Sequence, residues 1–385
     1  MASRVRTEFL AAAPTLVLFT LQRIVALIAV ITIAGPNWLS GALLRYDAGW
    51  YLGIVRSGYQ TYPRLDPSGA PLPTNLAFFP LFPLLASLLT RLTPIPAGWA
   101  LLGVAWAAGL LAAWALFLLG SELAGPGAGM ALALLWGASS QSVVLIMGYP
   151  EGLFVALTSL ALVAVLRNRP LAAAVAAALA GLTRPTALPL VAVVGLWLLV
   201  AMVRKARDPG QATHSWKTLL TALLITPSGL AAYLGFIAIR TGSLLGYFQV
   251  QGDWGMRSGW PHAIFAQMAR VVFPESGHPR VYVIYVPIIL GYLLCWTLLA
   301  GWLLPPARRK YAWVAAYGLI ASAFALTNQS YFQSVARHLM AVPVLLLPLL
   351  DLRTRRATVA LAIVVATLAS AWWGASLLAH GGFSP

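Results

Sequence analysis

Eleven long apolar runs constrain this chain more than any other feature. They fall at roughly residues 9–34, 98–120, 128–147, 149–166, 171–183, 185–203, 216–239, 281–304, 311–326, 339–351 and 357–377. A helix that crosses a bilayer needs about 20 apolar residues, fewer where proline breaks it or where it re-enters. With 60% apolar and only 9% charged residues, the chain has more apolar surface than one soluble core can hide. A soluble enzyme, a disordered tail and a disulfide scaffold are excluded; Cys295 is the single cysteine. The expectation is an all-α polytopic membrane protein with about 11 transmembrane helices, a single integral membrane domain over 1–385. The first run is too long for a cleaved signal peptide and is expected to stay as an anchor.

A further stretch, 77–92 (AFFPLFPLLASLLTRL), carries two prolines and an arginine. If it returns to the side it left, every short basic cluster falls on one face: Arg4 and Arg6; Arg167 and Arg169; Arg204, Lys205, Arg207 and Lys217; Arg308 to Lys310; Arg353, Arg355 and Arg356. Basic connections face the cytoplasm, so 77–92 reads as juxtamembrane or re-entrant on the outer face, with the N-terminus cytoplasmic. That topology accounts for most of the net charge of +16, and nucleic acid is not an expected partner. No repeat of 20–50 residues is visible, which argues against a transporter built from matching halves. The sequon Asn328-Gln329-Ser330 carries no weight without a secretory pathway.

Two outer loops are too long to be connectors: 35–97, expected to bear juxtamembrane helices, and 240–280. They hold Asp47, Asp66, Asp253 and Glu275, and a short outer turn carries Glu151. Long loops on a rigid scaffold are where chemistry concentrates. In RYDAGWYLGIVRSGY (45–59), Asp47 and Tyr51 are four apart and share a helix face. An acid among aromatic neighbours at the membrane edge can take a proton from a hydroxyl; a salt bridge to Arg45 or Arg56, or a helix cap, is the structural alternative. Glu151, in GYPEGLF, fits a helix start with Pro150 at the first helical position, or the lining of a cavity. Arg184, in LTRPTALPL, lies where Pro185 breaks a helix, suited to a phosphate or to an ion pair with Glu151 or Asp47. Arg337 and His338 head another proline-containing run and are further phosphate candidates. In QVQGDWGMRSGWP (249–261), Gln251, Asp253 and Trp254 suit sugar contacts, with Trp254 or Trp260 as a stacking face. Arg45, Tyr46, Tyr51 and Tyr149 complete the acceptor-binding or supporting set. No metal-binding motif occurs, and no cofactor is called for; a divalent cation held by Asp47 and Glu151 is the alternative.

The first-loop element, followed about 20 residues later by AFFPLFPLL, resembles the PIG-V-type mannosyltransferases, which add the second mannose to GPI anchors and have bacterial relatives. Arg45, Tyr46, Asp47, Tyr51, Ile54, Gly58 and Tyr59 match that family's first-loop element. GYPEGLF, LTRPTALPL, QGDWG and ARHLMAVPVLLLPLL resemble its later motifs in order, although His338 stands where an aromatic residue commonly follows the arginine. The resemblance implies a GT-C-type membrane glycosyltransferase fold and inverting transfer of a sugar, usually mannose, from a polyprenyl-phosphate donor. It implies Asp47 as base on the outer face of the membrane. The acceptor, a glycan, glycolipid or protein hydroxyl, is not specified. A composition rich in Ala, Leu and Arg but poor in Lys points to a GC-rich bacterial genome, so the expected location is a bacterial plasma membrane. Two alternatives stay open at this point: a lipid-linked-sugar flippase, which needs the arginines but not the base, and an oligosaccharide ligase with a pyrophosphate-linked donor. The enzyme reading expects Asp47, Glu151 and Arg184 to meet.

Overall fold

The computed structural model describes residues 2–211, 213–273, 280–328, 330–351, 356–380 and 384. Glu275, His278, Arg353 and Arg355 lie outside the described residues. Among those described, the chain is helical throughout, with no strand beyond two isolated bridges.

Helix α1 (Ala2–Ala34) ends at Gly35, whose φ of 62° and following proline stop it. A 3₁₀ turn and one wider turn then lead through Leu43 into the 35–97 loop, which carries α2 (Asp47–Ser57) and α3 (Leu81–Leu92). α3 buries Phe82, Pro83 and Ala86 and leaves Leu84, Leu88 and Leu92 exposed on its other side. At 12 residues, about 18 Å long, it is too short to cross alone. α4 (Ala97–Ala124) turns at Gly125 into α5 (Pro126–Gly137). α6 (Glu151–Leu166), α7 (Pro170–Gly181) and α8 (Leu188–Arg207) follow. α9 (Trp216–Ile225) and α10 (Ser228–Thr241) form one apolar unit across Pro227. The second long loop holds α11 (Gly246–Asp253) and α12 (Ala263–Val272), and the last helices are α13 (Tyr285–Trp302), α14 (Ala312–Ala325), α15 (Phe332–Met340) and α16 (Arg356–His380).

Six stretches among the described residues are long and apolar enough to cross a membrane; α15 and the turn 343–350, bent by 60°, make a seventh if taken as one span. This is a multi-pass membrane protein. The expected count of eleven is not reached by length, because runs 128–147, 149–166, 171–183 and 311–326 give helices of 12, 16, 12 and 14 residues. The first of these shows why. After Gly137 the polar string Ser139, Ser140, Gln141, Ser142 leaves the helix, and residues 138–150 run as irregular, buried backbone with one 3₁₀ turn. Irregular backbone at such depth is tolerated where protein surrounds it.

α4 is the hub, packed against α5 and α6, while α1 packs against α16 and α4. Small residues permit this. A Cβ added to Gly152 on α6 would stand 2.9 Å from the backbone nitrogen of Gly109 on α4, so two backbones touch there. At the start of α1, Arg167 pairs with Glu8 at 2.8 Å and with Glu122 at 2.7 Å. Tyr311 donates to the carbonyl of Leu123, and Asn168 bonds Thr213 and His214. The basic connections around 167, 204–217 and 308 thus gather at one end of the bundle, and the 35–97 loop begins at the other end of α1.

Candidate active site

Two acidic residues open helices, each for the same reason. Asp47 is the first residue of α2 and Glu151 the first of α6, where a carboxylate offsets the partial positive charge of unpaired backbone N–H groups. Pro150 stands just before α6, one place earlier than expected from sequence. Arg184 lies in extended backbone between α7 and α8, because Pro185 removes the next donor and stops α7 from continuing. Arg337 sits near the end of α15.

The fold draws these four into one alternating chain of charge. Arg337 donates from Nη1 to Asp47 Oδ2 at 2.7 Å, and its Nε lies 3.6 Å from Glu151 Oε1. Arg184 donates from Nη1 to the same Glu151 oxygen at 2.5 Å. Glu151 is 1% exposed on its side chain, against 27% for Asp47. The acid reachable by a second molecule is therefore Asp47. Glu151 is enclosed between two guanidinium groups, yet its Oε2 has no partner among the described residues. The ion pair weighed for Arg184 forms with Glu151, whereas Asp47 pairs with Arg337 and not with Arg45 or Arg56; the two pairs share a centre.

Tyr149 underlies this centre. Its hydroxyl accepts from the Asp47 backbone N–H at 3.3 Å and lies 3.3 Å from Ser384 Oγ, and the Arg337 guanidinium sits 5.2 Å from its ring centroid. His338 and Tyr51 are within electrostatic reach of Arg184. Tyr51 is buried edge-on against Phe78 and Phe82, and burial pushes its phenol well above the ordinary range. It is a neutral hydroxyl, not a base.

Tyr46 has φ 56° and ψ −129°, backbone that a non-glycine residue rarely adopts. That kink lets the chain leave the wide turn before it and start α2 with Asp47 turned to Arg337. Arg45 stacks on the Tyr46 ring at 4.8 Å and is exposed, so it is not among the paired charges.

The second-loop residues divide. Gln251 donates to the Tyr247 hydroxyl at 3.0 Å, and Tyr247 is within reach of Arg184. Asp253 lies against Tyr62. Trp254, expected as a stacking face for sugar, is engaged otherwise. Its indole donates to the Thr74 carbonyl at 3.0 Å, its ring meets Trp50 and Phe78, and its own carbonyl accepts from Tyr331. It clamps the two long loops together. Trp260 is 76% exposed and free of such packing. Sequence reading passed over Tyr247, and also Asn75, which exchanges hydrogen bonds with Gln60 to fold the first loop back. The one signal for Tyr247 was its position four residues before Gln251.

Arg337 bridges both carboxylates proposed for a divalent cation, so a guanidinium takes the place between them that the ion would need. No cluster of three or more His, Cys, Asp or Glu forms among the described residues. A cavity of about 350 Å³, lined by Trp197, Arg204, Lys205, His214 and Trp313, lies among the basic connections, away from this centre.

No family model and no curated protein matches the chain. Solved structures do. ArnT from Cupriavidus metallidurans, bound to undecaprenyl phosphate, superposes with a TM-score of 0.55 at 15% identity, covering 94% of this chain and 76% of ArnT. The apo form of ArnT gives 0.50 at 17% identity, covering 92% of this chain and 64% of that one. The Archaeoglobus fulgidus oligosaccharyltransferase, in complex with Zn and sulfate, gives 0.51 at 15% identity and covers 94% of this chain. The chain spans little more than half, 54%, of the oligosaccharyltransferase. At these identities the likeness is one of architecture. The chain has the GT-C-type fold of membrane glycosyltransferases.

Proposed function

We propose that this protein is an inverting glycosyltransferase that moves a sugar, mannose in the first instance, from a polyprenyl-phosphate donor to an acceptor hydroxyl. In this reading it is a bacterial relative of the PIG-V-type enzymes, one integral domain in the plasma membrane with its site on the outer face. The observation that carries the reading is the chain Asp47–Arg337–Glu151–Arg184, an accessible acid in direct contact with the cations that a phosphate leaving group requires. The GT-C-type fold, shared with an ArnT structure bound to undecaprenyl phosphate, supports it.

Before donor binds, each arginine is neutralised by a carboxylate. A donor phosphate offers Arg337 and Arg184 a second anion, and a bidentate guanidinium–phosphate contact competes well with a single bond to Asp47. As Arg337 turns to the phosphate, Asp47 regains a free lone pair. It then takes the acceptor proton while the oxygen attacks the anomeric carbon in line, opposite the departing polyprenyl phosphate. General-base assistance contributes about 10²–10⁴-fold, and the arginines stabilise charge growing on the phosphate. Glu151 holds both arginines at the right distance, and His338 borders the phosphate. Tyr51, Tyr149 and Gln251 support the acceptor side.

The test is Asp47→Asn, assayed with labelled polyprenyl-phosphate mannose and a crude lipid and glycan extract, with products identified by mass. Transfer should fall by about 10²–10⁴-fold while binding of polyprenyl phosphate persists. Retained transfer sinks the base assignment; a wild type that binds the lipid but forms no product favours a flippase.

A further inference from the structure

Beside the charged chain lies a set of buried polar atoms that the transfer chemistry leaves unused. Gln141, in the irregular backbone after α5, is wholly buried, and neither end of its amide has a close hydrogen-bond partner among the described residues. The hydroxyl of Tyr285, at the start of α13 on a fully buried ring, is equally unpartnered. So are the Tyr46 hydroxyl and the indole N–H of Trp373 on α16.

These groups belong to one place. Tyr285 faces Gln141 at the margin of hydrogen bonding, with no close contact between them, and is within electrostatic reach of Arg337 and Tyr46. Its ring meets Trp373 at 6.2 Å and Phe332, which opens the helix carrying Arg337, at 6.5 Å. Tyr46 precedes Asp47. Roughly nine in ten buried polar groups in folded proteins are paired, and leaving one unpaired is a standing penalty. Four neighbouring residues in that condition, next to the reacting centre, point to a ligand that supplies their partners.

The chemistry of the set narrows the ligand. An amide, two phenols and an indole N–H are neutral, mix donors with acceptors, and stand among aromatic walls. A phosphate would call for charge, and a lipid tail would call for no polar atoms at all. A ring bearing several neutral hydroxyls fits both features. We propose that Gln141, Tyr285, Tyr46 and Trp373 form the pocket for the glycosyl ring of the donor, with Gln141 as the residue that discriminates one sugar from its epimers. This rests on the polyprenyl-phosphate-sugar reading above. A site built to pair with a hydroxyl rejects a ring that lacks it there, because its own buried groups are then left unpaired.

The experiment is Gln141→Met in the purified full chain, a change that keeps size and removes both polar ends. Without lipid, the Tm should rise, since an unpaired amide is replaced by an apolar group. Sugar-free polyprenyl phosphate should bind as to wild type. For polyprenyl-phosphate mannose, kcat/KM should fall about 10–10²-fold, and the preference over the glucose epimer should flatten. Tyr285→Phe should act in the same direction. A lower Tm with equal loss of both lipids overturns the pocket in favour of a structural role, as does normal use of the mannosyl lipid by Gln141→Met. A wild type that binds no polyprenyl phosphate overturns the donor reading, and the pocket with it; the Tm comparison separates the two failures.

Discussion

Arg337 donates to Asp47 at 2.7 Å across a sequence separation of 290 residues. The same guanidinium approaches Glu151 and lies over Tyr149. One side chain on α15 therefore ties together the first long loop and the α5–α6 connection. Its departure from Asp47 is the step that the proposed reaction needs, and it leaves Glu151 still paired with Arg184.

That pair can be weighed by a double-mutant cycle. Arg184→Leu alone leaves a buried carboxylate short of its closest partner, and removing one member of a buried pair destabilises by about 3–5 kcal/mol. Glu151→Gln combined with Arg184→Leu should be less damaging than the sum of the two single changes. Thermal unfolding of the four proteins in one detergent checks this; strict additivity would show that the 2.5 Å contact is energetically idle.

Gly152→Ala should be disruptive although the added group is one methyl. The new Cβ would lie 2.9 Å from the nitrogen and 3.1 Å from the Cα of Gly109, both backbone atoms that cannot swing aside. Overpacking of this kind costs about 1–3 kcal/mol, and it would push Glu151 away from Arg184. Lower Tm together with lower transfer is expected, and restored activity in a detergent screen is not.

Tyr46 offers a comparison that isolates backbone strain. Tyr46→Gly and Tyr46→Ala both lose the ring and its contact with Arg45. Glycine accepts a φ of 56° without strain, whereas alanine does not. The glycine variant should be more stable by about 1–3 kcal/mol, read from midpoints of unfolding. Equal midpoints would mean that the turn relaxes once the ring is gone.

Trp254→Ala should loosen the two long loops from each other while leaving the helical bundle folded. It removes the bond to Thr74 and the ring contacts with Trp50 and Phe78. A loss of one or two kcal/mol corresponds to about a 5–30-fold larger open population, so limited proteolysis within 60–74 should speed up by that order. Unchanged cleavage would relocate the clamp elsewhere.

Much of this was legible from residue pattern, and the limits are physical. α1, α4, α8, α13 and α16 follow from length and apolarity, because a bilayer accepts only segments that satisfy their own backbone. Run 128–147 did not follow, since Ser139 to Ser142 leave the helix inside a protein environment that hydropathy cannot see. Asp47, Glu151, Arg184 and Arg337 stood out as charges in an apolar chain, but each had two readings of similar merit. Trp254 shows the converse: a residue with the right chemistry for sugar was spent on packing. Gln141 and Tyr285 drew no notice, as an amide and a phenol look ordinary until burial leaves them without partners.

From sequence alone came the membrane class, the places where helices start and stop, and the short list of charges that an apolar environment makes expensive. These depend on local composition and on the solvent around each segment. Which acid meets which arginine, which carboxylate stays accessible and which polar groups stay unpaired were decided only by tertiary structure. Such pairings join residues separated by 33 to 290 positions, and their geometry depends on how closely whole helices approach, which no local pattern encodes.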